Sequence, residues 1–354
     1  MLSMFLPISD ASLGMILVVA AGLLNSIYGI PMKKTEKWAF ENVWLVYSVV
    51  AMGVMSWGTA ALTIPNLFQV YRTAGMGAVG LVFCFGLLWG IANLLFGMGM
   101  RLIGIGLTFP IAIGLSLAIG TMTPLIAKHD LLLTPGGILV VASIVLVMIG
   151  VACCGFAGIL RERMEKQNRT TDEQNSHVQS RTIFLIGLFV VIISGLTDPC
   201  LNFAFSFGDA IKKASIDRGQ VVPGAESDAI WAIALSGALI VNTFYCLILL
   251  VRNGSWKLYL SQGTSHYWIL AAIMGIVWTL SITLYGRGAT KMGPLGDSAG
   301  WAVFYCCIIL FSAIWAFLTG EWKQATRHVL RPQLIGLALI TAAILLLGYG
   351  NTLP

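Results

Sequence analysis

Charge is what this sequence has least of: Asp, Glu, Lys and Arg together supply 10% of its 354 residues, against roughly 25% in a soluble domain. Hydrophobic residues make up 58%, and the mean hydropathy is +0.87. That balance excludes an ordinary water-soluble globule. Histidine is scarce too, and His129, His177, His266 and His328 fall in loops or at the ends of apolar runs. No His, Cys or Asp/Glu cluster lies within those runs, which disfavours an enzyme, a metal site or any bound cofactor. The seven cysteines include no C-x-x-C pair, and their odd number argues against a complete disulfide framework. All seven lie in apolar surroundings, where cysteine behaves as a small hydrophobe. The net charge of +6 forms no basic stripe, so nucleic acid is not an expected partner. Met1 to Asp10 lacks the basic region of a cleaved signal peptide, and the first apolar run reads as a retained helix.

What is there is apolar length. A helix needs about 20 apolar residues to cross a bilayer, and ten segments meet that need: about 11–31, 43–64, 78–100, 102–126, 137–160, 182–206, 229–251, 267–286, 298–318 and 333–350. Within these limits the one charged side chain is Asp198. Lys and Arg number fourteen in the odd-numbered loops and seven on the other side. The positive-inside rule then puts both termini outside the cytoplasm. The polar loop 161–181 reads as a cytoplasmic linker between a first five-helix unit, 1–160, and a second, 182–354. Its Asn168-Arg169-Thr170 matches a glycosylation sequon that this orientation makes a chance match. The loop 207–228 is expected to hold a short surface helix.

The two units resemble each other. At an offset of 189, Gly86, Trp89, Leu95, Gly97, Gly99 and Gly104 meet Gly275, Trp278, Leu284, Gly286, Gly288 and Gly293, and Phe96 meets Tyr285. Gly22-Leu-Leu-Asn25 echoes Gly195-Leu-Thr-Asp198 at an offset of 173. Glycine suits close helix packing, but packing alone does not explain a recurring pattern. Five spans is an odd number, so the second unit must be inverted relative to the first. The expected fold is therefore an all-α integral membrane protein, ten transmembrane helices in two inverted five-helix repeats. Secondary transporters are built this way, with their site near the midplane.

Particular motifs carry a family resemblance. They are Tyr28–Trp38 (YGIPMKKTEKW), Trp89-Gly90-Ile91-Ala92-Asn93 with Gly97, Met100-Arg101 and Gly104, then Ile111–Gly114 and Gly120-Thr121. Leu160–Arg163, Asp297 with Trp301, and Gly320-Glu321-Trp322 complete the set. Together they resemble the bacterial L-rhamnose–proton symporter family of the drug/metabolite transporter superfamily. The resemblance implies a multi-pass carrier of the bacterial inner membrane that moves a monosaccharide with a proton. An exporter of amino acids or other metabolites is the alternative within that superfamily.

Site residues follow from chemistry that is unusual in lipid. Asp198 precedes Pro199, and proline inside a span frees backbone carbonyls and bends the helix. A carboxylate at such a break is a functional candidate, here for proton coupling. Asp297 opens the ninth span, where it would serve as an N-cap; its place in the family motif makes it the second coupling candidate. Trp89, Trp278 and Trp301 offer flat faces for the C–H side of a pyranose. Asn93, Asn25, Tyr28, Asn202 and Tyr305 offer partners for its hydroxyls. Trp89 and Asn93, four apart, share a helix face and form the leading pair. Arg101 marks a tight turn between spans three and four.

Overall fold

The computed structural model describes residues 9–167, 181–217, 221–222, 224–320, 322–323 and 325–353. Most of the linker 161–181, its Asn168 sequon, and Glu321 lie outside the described residues. Within them the chain is helical, with no strand, and ten helices are long and apolar enough to cross a membrane. These spans are Asp10–Lys34, Phe40–Thr63, Met76–Ile103, Gly106–Ala127, Pro135–Met164, Thr182–Asp217, Asp228–Asn253, Ser265–Lys291, Gly293–Leu318 and Arg327–Gly350.

Several spans run a turn past their apolar limits, because a helix keeps its backbone paired after hydropathy has fallen. That extension corrects the expectation of a single charge within the spans. Glu41, Asp228 and Arg287 all lie inside helices. Glu41 accepts from Ser255 Oγ at 2.5 Å and Asn253 Nδ2 at 2.9 Å. Asp228 accepts from Arg287 at 2.7 Å and from Thr63 at 2.9 Å. Buried charge is tolerated here because each group is paired. The turn between spans three and four is as tight as Arg101 suggested: Gly104, at φ 82°, separates the two helices. The short helix expected in the loop 207–228 spans Asp209–Asp217, at the end of span six.

Spans of the first unit pack largely on spans of the second. Span one lies against spans eight and nine, span three against six and seven, span two against seven and eight, and span five against ten. Glycines set the closest of these approaches. A Cβ at Gly86 would strike the backbone of Ala234 in span seven, and one at Gly275 the backbone of Ala51 in span two. A Cβ at Gly22 would strike Cys307 of span nine, and one at Gly195 the backbone of Ala112 in span four. Lipid offers little hydrophobic drive between helices, so such backbone-to-backbone contact carries much of the association. Side-chain hydrogen bonds add to it: Trp44 Nε1 to Asn242 at 2.8 Å and Trp57 Nε1 to Ser236 at 2.8 Å both join spans two and seven.

Candidate functional site

Span six breaks where the sequence placed Pro199. The helix Arg181–Thr197 ends, Asp198 and Pro199 form a turn, and a short helix resumes over Cys200–Ser206. Asp198 is half-buried. Its Oδ2 accepts hydrogen bonds from Ser116 Oγ of span four and the Tyr305 hydroxyl of span nine. The Trp89 indole of span three is a further polar neighbour of this carboxylate. One carboxylate thus gathers hydroxyl donors from two other spans, with the Trp89 indole of a third beside it. The hydroxyl donors satisfy the carboxylate without neutralising it, and no cation among the described residues pairs with it.

Trp89 is stacked on Trp278 with ring centroids 5.4 Å apart and planes at 22°. These are the two tryptophans matched at offset 189, and both are buried. Trp278 and Tyr47 meet edge to face at 6.1 Å, and Tyr47 stacks on Tyr28 at 5.6 Å. Asn25, half-buried, donates to Ser281 Oγ of span eight at 3.1 Å. Asn93 lies one turn beyond Trp89, half-buried and with no hydrogen bond to the described residues. Amide, indole and phenol groups of spans one, three and eight therefore line one aromatic seam beside Asp198.

Span nine carries Asp297, Trp301 and Tyr305 at four-residue steps, on one face. Trp301 donates to the Ser116 carbonyl at 3.3 Å and lies 4.6 Å from the Tyr305 ring. Gly120 makes room for it, since a Cβ there would enter the indole. Asn202 joins the three helices: its Nδ2 donates to the carbonyls of Gly120 and Asp297, each at 2.9 Å, and its Oδ1 accepts from Tyr285 at 2.5 Å. With both amide hydrogens engaged and no exposed surface, Asn202 has no donor left for a sugar. The structure makes it a clamp.

The N-cap expected of Asp297 is also corrected. The helix Gly296–Leu318 takes Leu295 as its cap and no side chain closes it. Asp297 Oδ2 instead binds Lys128 Nζ at 2.7 Å, while its buried Oδ1 has no partner among the described residues. Lys128 is tied further to the Pro294 carbonyl at 3.0 Å. Asp297 thus has a cationic partner, whereas the hydrogen-bond partners of Asp198 are uncharged hydroxyls.

Residues 9–352 match the family described as "L-rhamnose-proton symport protein (RhaT)". The chain belongs to that family. Its relatives within it include the L-rhamnose-proton symporter of Escherichia coli, 29% identical over 328 residues, covering 90% of this chain and 92% of the relative. The L-rhamnose-proton symporter of Yersinia pestis is 28% identical over 348 residues, covering 96% and 97%. This member of the symport family is thus a multi-pass membrane transporter and not an enzyme, as its residue chemistry implied.

Sequence reasoning missed three parts of the site. Ser116 is a lone serine in an apolar helix, without any signal. Lys128 counted only as a loop charge, and Tyr285 only as the repeat counterpart of Phe96. The distance along the chain from Lys128 to Asp297, and from Ser116 to Asp198, put these pairs beyond any local pattern.

Proposed function

We propose that this chain carries L-rhamnose, or a monosaccharide close to it, into the cell together with a proton, through a bacterial inner membrane with both termini outside. The observation that carries the reading is Asp198: a carboxylate at a broken helix, held by two hydroxyl donors beside a stacked Trp89–Trp278 pair. The carboxylate supplies the proton site. The aromatic seam supplies apolar faces for the sugar ring, and Asn25, Asn93 and Tyr28 supply polar contacts. Uptake of labelled L-rhamnose, other sugars and amino acids into proteoliposomes tests it. Uptake of amino acids alone, unaffected by a pH gradient, would assign the chain to metabolite export instead.

The carrier works by rocking two inverted five-helix repeats, 1–160 and 182–354, about the central seam. Support comes from the matched glycines, where Gly86 and Gly275 seat spans seven and two, and Gly22 and Gly195 seat spans nine and four. One end of the molecule is tied by Lys128–Asp297, Arg287–Asp228 and Lys291–Asp10. In the proposed orientation that end is the outer one, closed here. A cysteine placed at exposed Asp217 is expected to react with an impermeant reagent added outside intact cells, and one at exposed Lys257 only after permeabilisation. The reverse pattern would invert the orientation.

Trp89→Ala is expected to weaken sugar binding by about 1–3 kcal/mol, the range of a lost aromatic contact plus an unpaired polar partner. Asn93→Ala is expected to do the same with a smaller change in melting temperature, because Asn93 is only half-buried. Calorimetric titration against thermal unfolding separates binding from folding. Equal losses in both would leave these residues to packing.

A further inference from the structure

A cleft of about 650 Å³ lies between spans four, five, nine and ten. That is within the range of ligand pockets, roughly 300–1,000 Å³. Its mouth carries Arg161, Glu162 and Trp322, while Ser312 and the buried Gln333 stand on its wall. The Arg161 guanidinium sits 5.3 Å from the Trp322 ring. Along span five the wall includes Gly155 and Gly158, which leave the space open by having no side chain. At the inner end are Ile113 of span four and Ile308 and Ile309 of span nine.

Those isoleucines lie next to the Asp198 centre. Ser116 is three residues beyond Ile113, and Tyr305 is three and four residues before Ile308 and Ile309. Residues three and four apart share a helix face, about one turn on. Ser116 and Tyr305 are the two hydroxyls that hold Asp198. On spans four and nine the lining of the cleft therefore ends about one turn from the two residues that hold Asp198. Its mouth lies at the end of span five that bears Arg161, opposite the end tied by Lys128–Asp297.

We propose that this cleft is the water-filled route between the Asp198 centre and the cytoplasmic face, with Ile113, Ile308 and Ile309 as its apolar gate. The proposal rests on the transport reading above and adds to it the path and the gate. Apolar constrictions close such paths by excluding water. Charged groups at the mouth distinguish it from a groove for lipid tails, because lipid excludes charge.

Thiol accessibility in the reconstituted full-length protein tests it. Ser312→Cys is treated with a permanently charged methanethiosulfonate, and labelling is mapped residue by residue. Native Cys84, exposed on the apolar outer surface of span three, is the internal comparison. The cysteine at 312 is expected to react about tenfold or more faster than Cys84, since a charged reagent is excluded from lipid. L-rhamnose counterflow in the same variant is expected to fall to background after labelling. Should this variant fold poorly, Ala316→Cys, one turn nearer the mouth, gives the same reading. Reaction only with an uncharged, lipid-soluble maleimide would overturn the proposal. So would intact counterflow after complete labelling. If L-rhamnose does not move before labelling, the sugar assignment fails separately, and charged-reagent access at Ile309→Cys still decides whether water reaches the gate.

Discussion

Asp198→Asn is expected to exchange labelled for unlabelled sugar and to lose accumulation. The side chain keeps an oxygen that accepts from Ser116 and Tyr305, so the junction of spans four, six and nine should persist. It can no longer release a proton, and the variant behaves as a permanently protonated carrier. One pH unit corresponds to about 1.36 kcal/mol. For one proton per sugar, such a gradient therefore supports about tenfold accumulation in the wild type. In the variant the ratio should fall to about one, with exchange at near wild-type rates. Uptake driven by an imposed pH gradient, set beside counterflow without one, measures both. Tenfold accumulation by the variant would remove Asp198 from coupling and leave Asp297, despite its lysine partner. Loss of exchange as well, in a protein that melts normally, would make Asp198 a direct sugar ligand.

Asp228→Ala is expected to destabilise the protein more than any change at the aromatic seam. Asp228 is 1% exposed and holds both Arg287 and Thr63. Removing the carboxylate leaves a guanidinium with a buried Nε that already lacks a partner among the described residues. Breaking one side of a buried ion pair costs about 3–5 kcal/mol. In detergent this should lower Tm by something on the order of 10 °C. Replacing both partners, Asp228→Asn with Arg287→Met, should recover most of the loss, because no unpaired charge then remains. Thermal unfolding of the two single variants and the double variant checks this. A wild-type Tm for Asp228→Ala would mean that water solvates the pair and that it does not hold the closed end.

The site was partly legible because lipid makes polar groups conspicuous. Asp198 stood out as a carboxylate next to proline in an apolar run, and the structure breaks span six at that point. Trp89 and Trp278 stood out as a matched pair, and they stack on each other. Asn202 and Asp297 were visible by the same rule, yet their roles were not. Asn202 ties Gly120, Asp297 and Tyr285 together, and Asp297 answers Lys128. Both roles depend on partners 82 or more residues away, and no local pattern encodes such a distance. Asp228 and Arg287 were assigned to loops because hydropathy falls before the helix ends.

Composition, hydropathy and Pro199 by themselves determined that the chain crosses the membrane, about how many times, and where span six would break. These follow from single-residue transfer between water and lipid, which needs no knowledge of neighbours. Only the tertiary structure decided which polar groups face each other, that Ser116 and Tyr305 hold Asp198 and that Lys128 holds Asp297, and that a cleft lies between spans four, five, nine and ten. The reason is physical. Lipid excludes polar groups from its interior residue by residue, so the sequence records each exclusion. The partner each group then finds is set by helix packing between distant spans, which the order of residues along one span does not record.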